Sequence, residues 1–350
     1  MSFELKSLLE KAGKGEGLSP EEALEVFDRA SLPEWDVVFQ TAGELTRRNF
    51  GKALNFFAPL YFSNRCVNDC RYCGFRRSNP EIVRRVLSEA EFFSEAQSLW
   101  DAGHRTVLLI AGEHPQDASA ARIAAYVIRL AEKGLSFFVM LEIAPLPIRE
   151  YELLSRAGVK QVLLFQETYD KNIYAQVHDG PKRNYEWRRG AMARAFQAGI
   201  DRVGLGILLG LGDCREDFLE LLRHAWQLKK SYGVFPSTVS FPRLRPASGV
   251  TDFSPAHPVS DDMLRKMMAV TRLALPFTGI VLTTRESPEL RDYFLSREIG
   301  VTHVSAGSCT QPGGYSIYKE EPEGQFSMLD SRPLAAVARQ AEEMGYTPAF

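Results

Sequence analysis

The chain has 350 residues, 45% of them hydrophobic and 25% charged, the profile of an ordinary globular protein rather than a disordered or fibrous one. Its formal net charge of -2 gives no electrostatic reason to expect nucleic acid or an anionic membrane as the main partner. The opening residues Met1 to Lys6 lack the basic start and apolar run of a signal peptide, and no apolar stretch is long enough to span a bilayer, so the expected location is the cytoplasm.

Residues 1–50 read as an N-terminal helical extension. Ser19 with Pro20 and Glu22 forms a helix start, with a capping box and a proline in the first turn. Leu24, Val26, Phe27 and Ala30 then give that helix an apolar face. Beyond residue 50 the pattern changes to short apolar runs: Asn55–Phe62, Thr106–Ala111, Phe137–Ile143, Val162–Phe165, Val203–Leu209, Thr238–Phe241, Gly279–Leu282 and Val301–Ser305. Helical candidates alternate with them, namely Ser88–Ala102, Ser119–Lys133, Asn184–Ala198, Arg215–Tyr232 and Ser260–Leu275. Glycines at 103, 134, 158 and 199 fall where helix C-caps would precede a strand.

Eight buried-looking strands separated by helices predict an α/β fold, a (βα)8 TIM-type barrel over residues 51–350 covered by the N-terminal helices. An open doubly wound sheet is the alternative that periodicity alone leaves standing. In a barrel the chemistry gathers at the C-terminal strand ends. The polar residues there are Cys66, Glu113, Glu142, Glu167, Asp213, Arg243, Arg285 and Ser308.

Three of the five cysteines, Cys66, Cys70 and Cys73, fall within eight residues, which suits a metal or redox site better than a disulfide framework. Gaps of three and two residues let three thiolates hold three irons of a cubane and leave the fourth open to a small chelating ligand. A structural zinc site is the competing reading and would need Cys214 or Cys309 as its fourth ligand. Otherwise those two are free thiols. The histidines show no ligand spacing, and His178 is singled out only for its nearness to Gly180-Pro181-Lys182.

The C-x3-C-x2-C spacing, with Tyr72 before the third cysteine, resembles the radical S-adenosylmethionine (SAM) superfamily. The stretch from Ala58 to Cys70, Gln166 to Tyr169, Gly180 to Lys182, Gly204 to Leu211, Ser240 to Pro246, Thr284 to Glu289 and Ser305 to Tyr315 resemble, in that order, its branch that cleaves free aromatic amino acids. That branch includes the 2-iminoacetate synthase of thiamine biosynthesis and the tyrosine-cleaving maturase of [FeFe]-hydrogenase.

The resemblance implies one [4Fe–4S] cluster on Cys66, Cys70 and Cys73, with SAM as co-substrate. It places Tyr72 among the cofactor-binding residues and Glu113 on the methionyl ammonium, in a G-G-E motif whose first glycine is Ala111 here. Gln166 or Glu167 would meet the ribose, Glu167 being able to accept from both hydroxyls. Arg188 would take the methionyl carboxylate, a surface ion pair being the alternative, and Gly204 and Gly206 would let backbone approach the adenine. Arg285, aided by Ser308, would fix the substrate carboxylate; a structural pair with Glu286 is the alternative. Tyr61 and Glu142 would face the same cavity, although Tyr61 could equally be a packed aromatic. Arg243 and Arg245 could bind substrate or brace their loop.

The implied reaction is cleavage of the Cα–Cβ bond of L-tyrosine to 2-iminoacetate (dehydroglycine) and p-cresol through a 5'-deoxyadenosyl radical. A flavodoxin- or ferredoxin-like donor would supply the electron, and a thiazole synthase would be a partner if thiamine biosynthesis is the pathway. The same chemistry on L-tryptophan is one alternative. A maturase-like core is another, since the sequence stops at Phe350, close to where that family's cysteine-rich second domain would begin. A non-enzymatic iron–sulfur or zinc carrier or scaffold is the alternative from a different class.

Overall fold

The computed structural model describes residues 3–319 and 324–350. Three helices come first: α1 (Phe3–Gly13), α2 (Pro20–Arg29) and α3 (Leu32–Phe50). The Ser19 capping box forms as expected, with the Ser19 hydroxyl accepting from Glu22 N and the Glu22 carboxylate accepting from Ser19 N. Buried faces of α2 and α3, including Val26, Val38 and Leu45, join the same core as the barrel strands.

The strands are β1 (Ala53–Ser63), β2 (Thr106–Ala111), β3 (Phe138–Glu142), β4 (Gln161–Glu167), β5 (Val203–Ile207), β6 (Thr238–Ser240), β7 (Gly279–Leu282) and β8 (His303–Ser305). Each pairs in parallel with the next, and β1 pairs with both β2 and β8, which closes the barrel. Register is continuous around that seam, with Ala58 opposite Val107 and Phe57 opposite Ser305. Closure decides against the open sheet. Parallel strands buried on both faces need the continuous apolar runs seen in the sequence.

Between strands lie α4 (Glu89–Asp101), α5 (Ala120–Glu132), α6 (Ile148–Ala157), α7 (Lys171–Val177), α8 (Tyr185–Arg189), α9 (Ala191–Gln197), α10 (Cys214–Tyr232), α11 (Asp261–Ala274) and α12 (Pro288–Ser296). Helix α13 (Leu334–Glu343) and a short β9 (Thr347–Ala349), which pairs with the start of β1, complete the chain. The glycines at 103, 134, 158 and 199 all have positive φ, as helix-ending residues do. The single helix expected over Asn184–Ala198 is instead two, α8 and α9, meeting at Gly190. Asn184 caps the first of them by accepting from Trp187 N. This break belongs to the site, because it sets the direction of Arg188.

Candidate active site

The cysteine loop leaves β1 and is held by backbone bonds to several elements. Val67 N donates to Glu113 O at 3.0 Å, Asp69 N to Asp179 O at 3.0 Å, and Arg71 N to Val177 O at 3.0 Å. Close approach explains two glycines. A Cβ on Gly112 would stand 2.3 Å from Arg65 O, and one on Gly180, already at φ +85, would stand 2.9 Å from Val67 O. Ala111, in the place of the motif's first glycine, needs no such exemption, since its methyl packs in the core.

Cys66, Cys70 and Cys73 are free thiols lining one cavity with Glu113, Glu142, Glu167, Lys182 and Arg188. Burial pushes all three thiols up, Cys73 to about 11. They need a metal to hold them as thiolates. Among the described residues no three His, Cys, Asp or Glu side chains converge as they must around a single ion. Thiols spread around a cavity suit a cubane, with one thiolate per iron, better than tetrahedral zinc.

Apart from Glu142, the charged side chains in this cavity are paired with one another. Arg188 donates to Glu113 Oε1 at 2.8 Å and, through Nε, to Phe165 O at 2.6 Å. Asn68 donates to Glu113 Oε2 at 2.8 Å, and its own Oδ1 accepts from Lys182 N at 2.8 Å. Lys182 Nζ donates to Glu167 Oε1 at 2.7 Å. Arg188 holds the Glu113 carboxyl below the usual range despite burial. Glu167 sits at φ 73, a left-handed conformation that costs of order 1–3 kcal/mol outside glycine and turns its carboxylate into the cavity.

The second cavity lies inside the barrel top and shares Cys73, Ile110, Glu142, Glu167, Lys182 and Gln325 with the first. Phe57, Leu108, Leu163 and Val281 form its apolar part. Tyr61, Tyr72 and Arg285 also line it. Tyr61 OH donates to Gln325 Oε1 at 2.9 Å, and Tyr72 OH donates to His178 Nε2 at 2.8 Å. His178 Nδ1–H in turn donates to Tyr174 O at 2.9 Å, which fixes the neutral tautomer. Burial, with Lys182 and Arg188 adding to it, drives that imidazole down to about 2.

Arg285 is differently placed. Its guanidinium lies 3.4 Å from the centre of the Phe326 ring, and its one hydrogen bond is a long 3.4 Å contact to Arg243 O. Glu286 does not pair with it: that carboxylate is gripped by Arg243 and by Arg245, the latter at 2.9 Å. Arg243 also binds Val259 O at 2.9 Å, so this pair of arginines braces the loop. Glu142, at the end of β3, has no hydrogen-bond partner among the described residues, and burial together with Glu167 raises its carboxyl to about 7.

Comparison with known proteins agrees with this geometry. The Radical SAM superfamily model matches residues 60–225, and the Biotin and Thiamin Synthesis associated domain model matches residues 240–347. The 2-iminoacetate synthase of Salmonella typhimurium is 35% identical over 98% of this chain and 89% of its own length. The chain belongs to the radical SAM superfamily. The Escherichia coli 2-iminoacetate synthase is 36% identical over the same shares. Among solved structures, HydG, a maturase of the [FeFe]-hydrogenase, superposes with a TM-score of 0.93 at 38% identity, covering 100% of this chain and 76% of that one. HydG from Carboxydothermus hydrogenoformans gives 0.90 at 39%, covering 99% and 79%. The cofactors of this radical SAM enzyme are a [4Fe–4S] cluster and SAM.

Several expected positions fall elsewhere. Cβ atoms on Gly204 and Gly206 would meet the Leu163 and Phe165 side chains at 2.8 and 2.4 Å, so these glycines make room for chamber walls. Gln166 alternates to the opposite face of β4 from Phe165 and Glu167, and its buried Nε2 has no partner. Ser308 Oγ is likewise buried and unpaired, and Ser305 rather than Ser308 lines the chamber. Asp213 is the N-cap of α10, accepting from Arg215 N and Glu216 N. Lys182, Asn68 and Gln325 carry site contacts without an expected role. Lys182 and Asn68 lie inside quoted motifs, whereas Gln325 has no local signal at all.

Proposed function

We propose that the chain is a tyrosine lyase, cleaving the Cα–Cβ bond of L-tyrosine to 2-iminoacetate and p-cresol. The observation that carries this reading is Arg285: a guanidinium without a carboxylate partner among the described residues, set in an aromatic-sized chamber that opens into the cysteine-lined cavity. A planar fork in that setting asks for a carboxylate. The relatives named 2-iminoacetate synthase support the same chemistry.

When bound, the cluster and SAM supply the 5'-deoxyadenosyl radical. Cys66, Cys70 and Cys73 hold the cluster, and Asn68 sets the loop through its bonds to Glu113 and Lys182 N. Glu113, Glu167 and Arg188 form the SAM cradle, with Tyr72 on its chamber side. Arg285 fixes the substrate carboxylate and Glu142, shared by both cavities, faces the amino group, so the nitrogen lies towards the cofactor and the ring towards the apolar part. Tyr61 and Phe326 close the chamber against water. A flavodoxin- or ferredoxin-like protein supplies the electron.

Anaerobic reconstitution followed by dithionite, SAM and one aromatic amino acid at a time tests the reading. Tyrosine should give 5'-deoxyadenosine and p-cresol in equal amounts. Indole-derived product from tryptophan, with none from tyrosine, would move the substrate. A fully loaded cluster that makes no deoxyadenosine with any of them would defeat the lyase reading.

A further inference from the structure

The chamber's two ends differ in chemistry. Tyr61, Glu142, Glu167, Lys182 and Arg285 bring polar and charged groups to it, while Phe57, Leu108, Leu163 and Val281 form one apolar cluster. Two serines, Ser240 and Ser305, line the chamber beside them. Ser240 ends β6, in register with Gly206 on one side and with Val281 on the other. It is 3% exposed, it lines the chamber, and its hydroxyl has no hydrogen-bond partner among the described residues.

Its neighbours show that the lack of a partner is specific. Thr238, two residues earlier on the same face of β6, accepts from Gln161 Nε2 at 2.8 Å. Ser305, which also lines the chamber, accepts from Thr284 N at 3.2 Å. Gly206, beside Ser240, has no side chain to offer and its space is filled by Phe165. A buried hydroxyl left unpaired destabilises the free protein, and one that lines a chamber can be satisfied by a molecule that enters it.

We propose that Ser240 reads the polar tip of the substrate's aromatic ring and is the residue that selects a para-hydroxylated side chain. This rests on the amino-acid lyase reading above. With the carboxylate on Arg285 and the amino group towards Glu142, the ring points into the apolar end, where a phenol can exchange a hydrogen bond with Ser240 Oγ. A phenyl ring reaching the same place leaves that hydroxyl unpaired. Sites built around one substrate hydroxyl discriminate strongly against the analogue lacking it.

The test compares L-tyrosine, L-phenylalanine and L-tryptophan on the reconstituted enzyme with SAM, reading calorimetric affinity and kcat/KM for deoxyadenosine formation. In the unaltered enzyme tyrosine should exceed phenylalanine by roughly 100-fold or more. Ser240→Ala should shrink that ratio by about tenfold or more through weaker tyrosine binding, and Ser240→Thr, which keeps a hydroxyl, should restore most of it. An unchanged ratio in a Ser240→Ala protein with unaltered melting temperature overturns the proposal. So does an equal loss for all three amino acids, which would make Ser240 a packing residue. Failure of the unaltered enzyme to bind any of the three defeats the lyase reading itself and this inference with it. A tryptophan preference that Ser240→Ala leaves intact overturns the selector alone.

Discussion

On the cysteine-loop side of the barrel top, Glu113 is held by Arg188 and Asn68, and Glu167 by Lys182, all within 2.8 Å. On the chamber side, among the described residues, the Arg285 guanidinium has one 3.4 Å hydrogen-bond contact and the Ser240 hydroxyl has none. The first region is assembled before anything binds, with each charge set by another. The second leaves its polar groups open for an incoming molecule. Preorganisation of this kind suits a cofactor held in one pose, whereas the open groups suit a substrate that must enter and leave.

The largest effect that this contrast predicts is on the cysteines. Replacing Cys66, Cys70 or Cys73 by Ala should abolish deoxyadenosine formation, more than about 1,000-fold, with loss of cluster iron and its electron paramagnetic signal. Retention of the cluster in any of the three would break the assignment. The next test separates the two regions directly. Arg188→Ala leaves a buried Glu113 carboxylate short of its cation and should cost about 3–5 kcal/mol in denaturant unfolding. Arg285→Ala removes no ion pair and should cost under about 1 kcal/mol, yet weaken tyrosine binding about 100-fold. Equal stability losses in the two variants would erase the distinction.

Glu142 sharpens it through pH. Its carboxyl, raised to about 7 by burial and then by Glu167, stays protonated in the folded protein between the ordinary carboxylate value and about 7. The folded state then binds more protons than the unfolded one, so this group's contribution to stability falls as pH rises through that window. Glu142→Gln should therefore be more stable than the unaltered protein above pH 7, by roughly 1–3 kcal/mol, and show no advantage at pH 4. A constant difference across pH would place Glu142 in a wetter setting. The smallest effect belongs to His178, kept neutral by burial with its pKa near about 2. The unfolded chain protonates it below about 6.5, so over the first pH unit below that value stability should drop by roughly 1 kcal/mol, and His178→Asn should remove that drop in titrations of melting.

Much of the barrel was legible because each parallel strand is an uninterrupted apolar run; Thr106–Ala111 and Gly279–Leu282 fall at their expected limits. Helices α6, α7, α12 and α13 were not anticipated, α7 being one short element whose start rests on the Asp170 cap. The break at Gly190 hides inside a continuous amphipathic pattern. The cysteines and Glu113 were readable from spacing and position after a strand. Roles that depend on facing were not: Gln166 and Glu167 are neighbours in sequence, yet the irregular, left-handed end of β4 turns Glu167 into the cavity, which Gln166 does not line. Glu286 looked like a partner for Arg285 by adjacency, but Arg243 and Arg245, more than forty residues away, take it.

The most direct measurement of the central claim is the origin of the hydrogen that reaches deoxyadenosine. In the proposed reading the substrate nitrogen lies at the junction of the two cavities, and its hydrogens exchange with solvent while those on Cβ and the ring do not. Turnover of L-tyrosine in D2O should give 5'-deoxyadenosine carrying one deuterium together with p-cresol. Unlabelled 5'-deoxyadenosine formed alongside p-cresol would show that a carbon-bound hydrogen is taken, and would contradict the placement of the amino group between Glu142 and the cofactor.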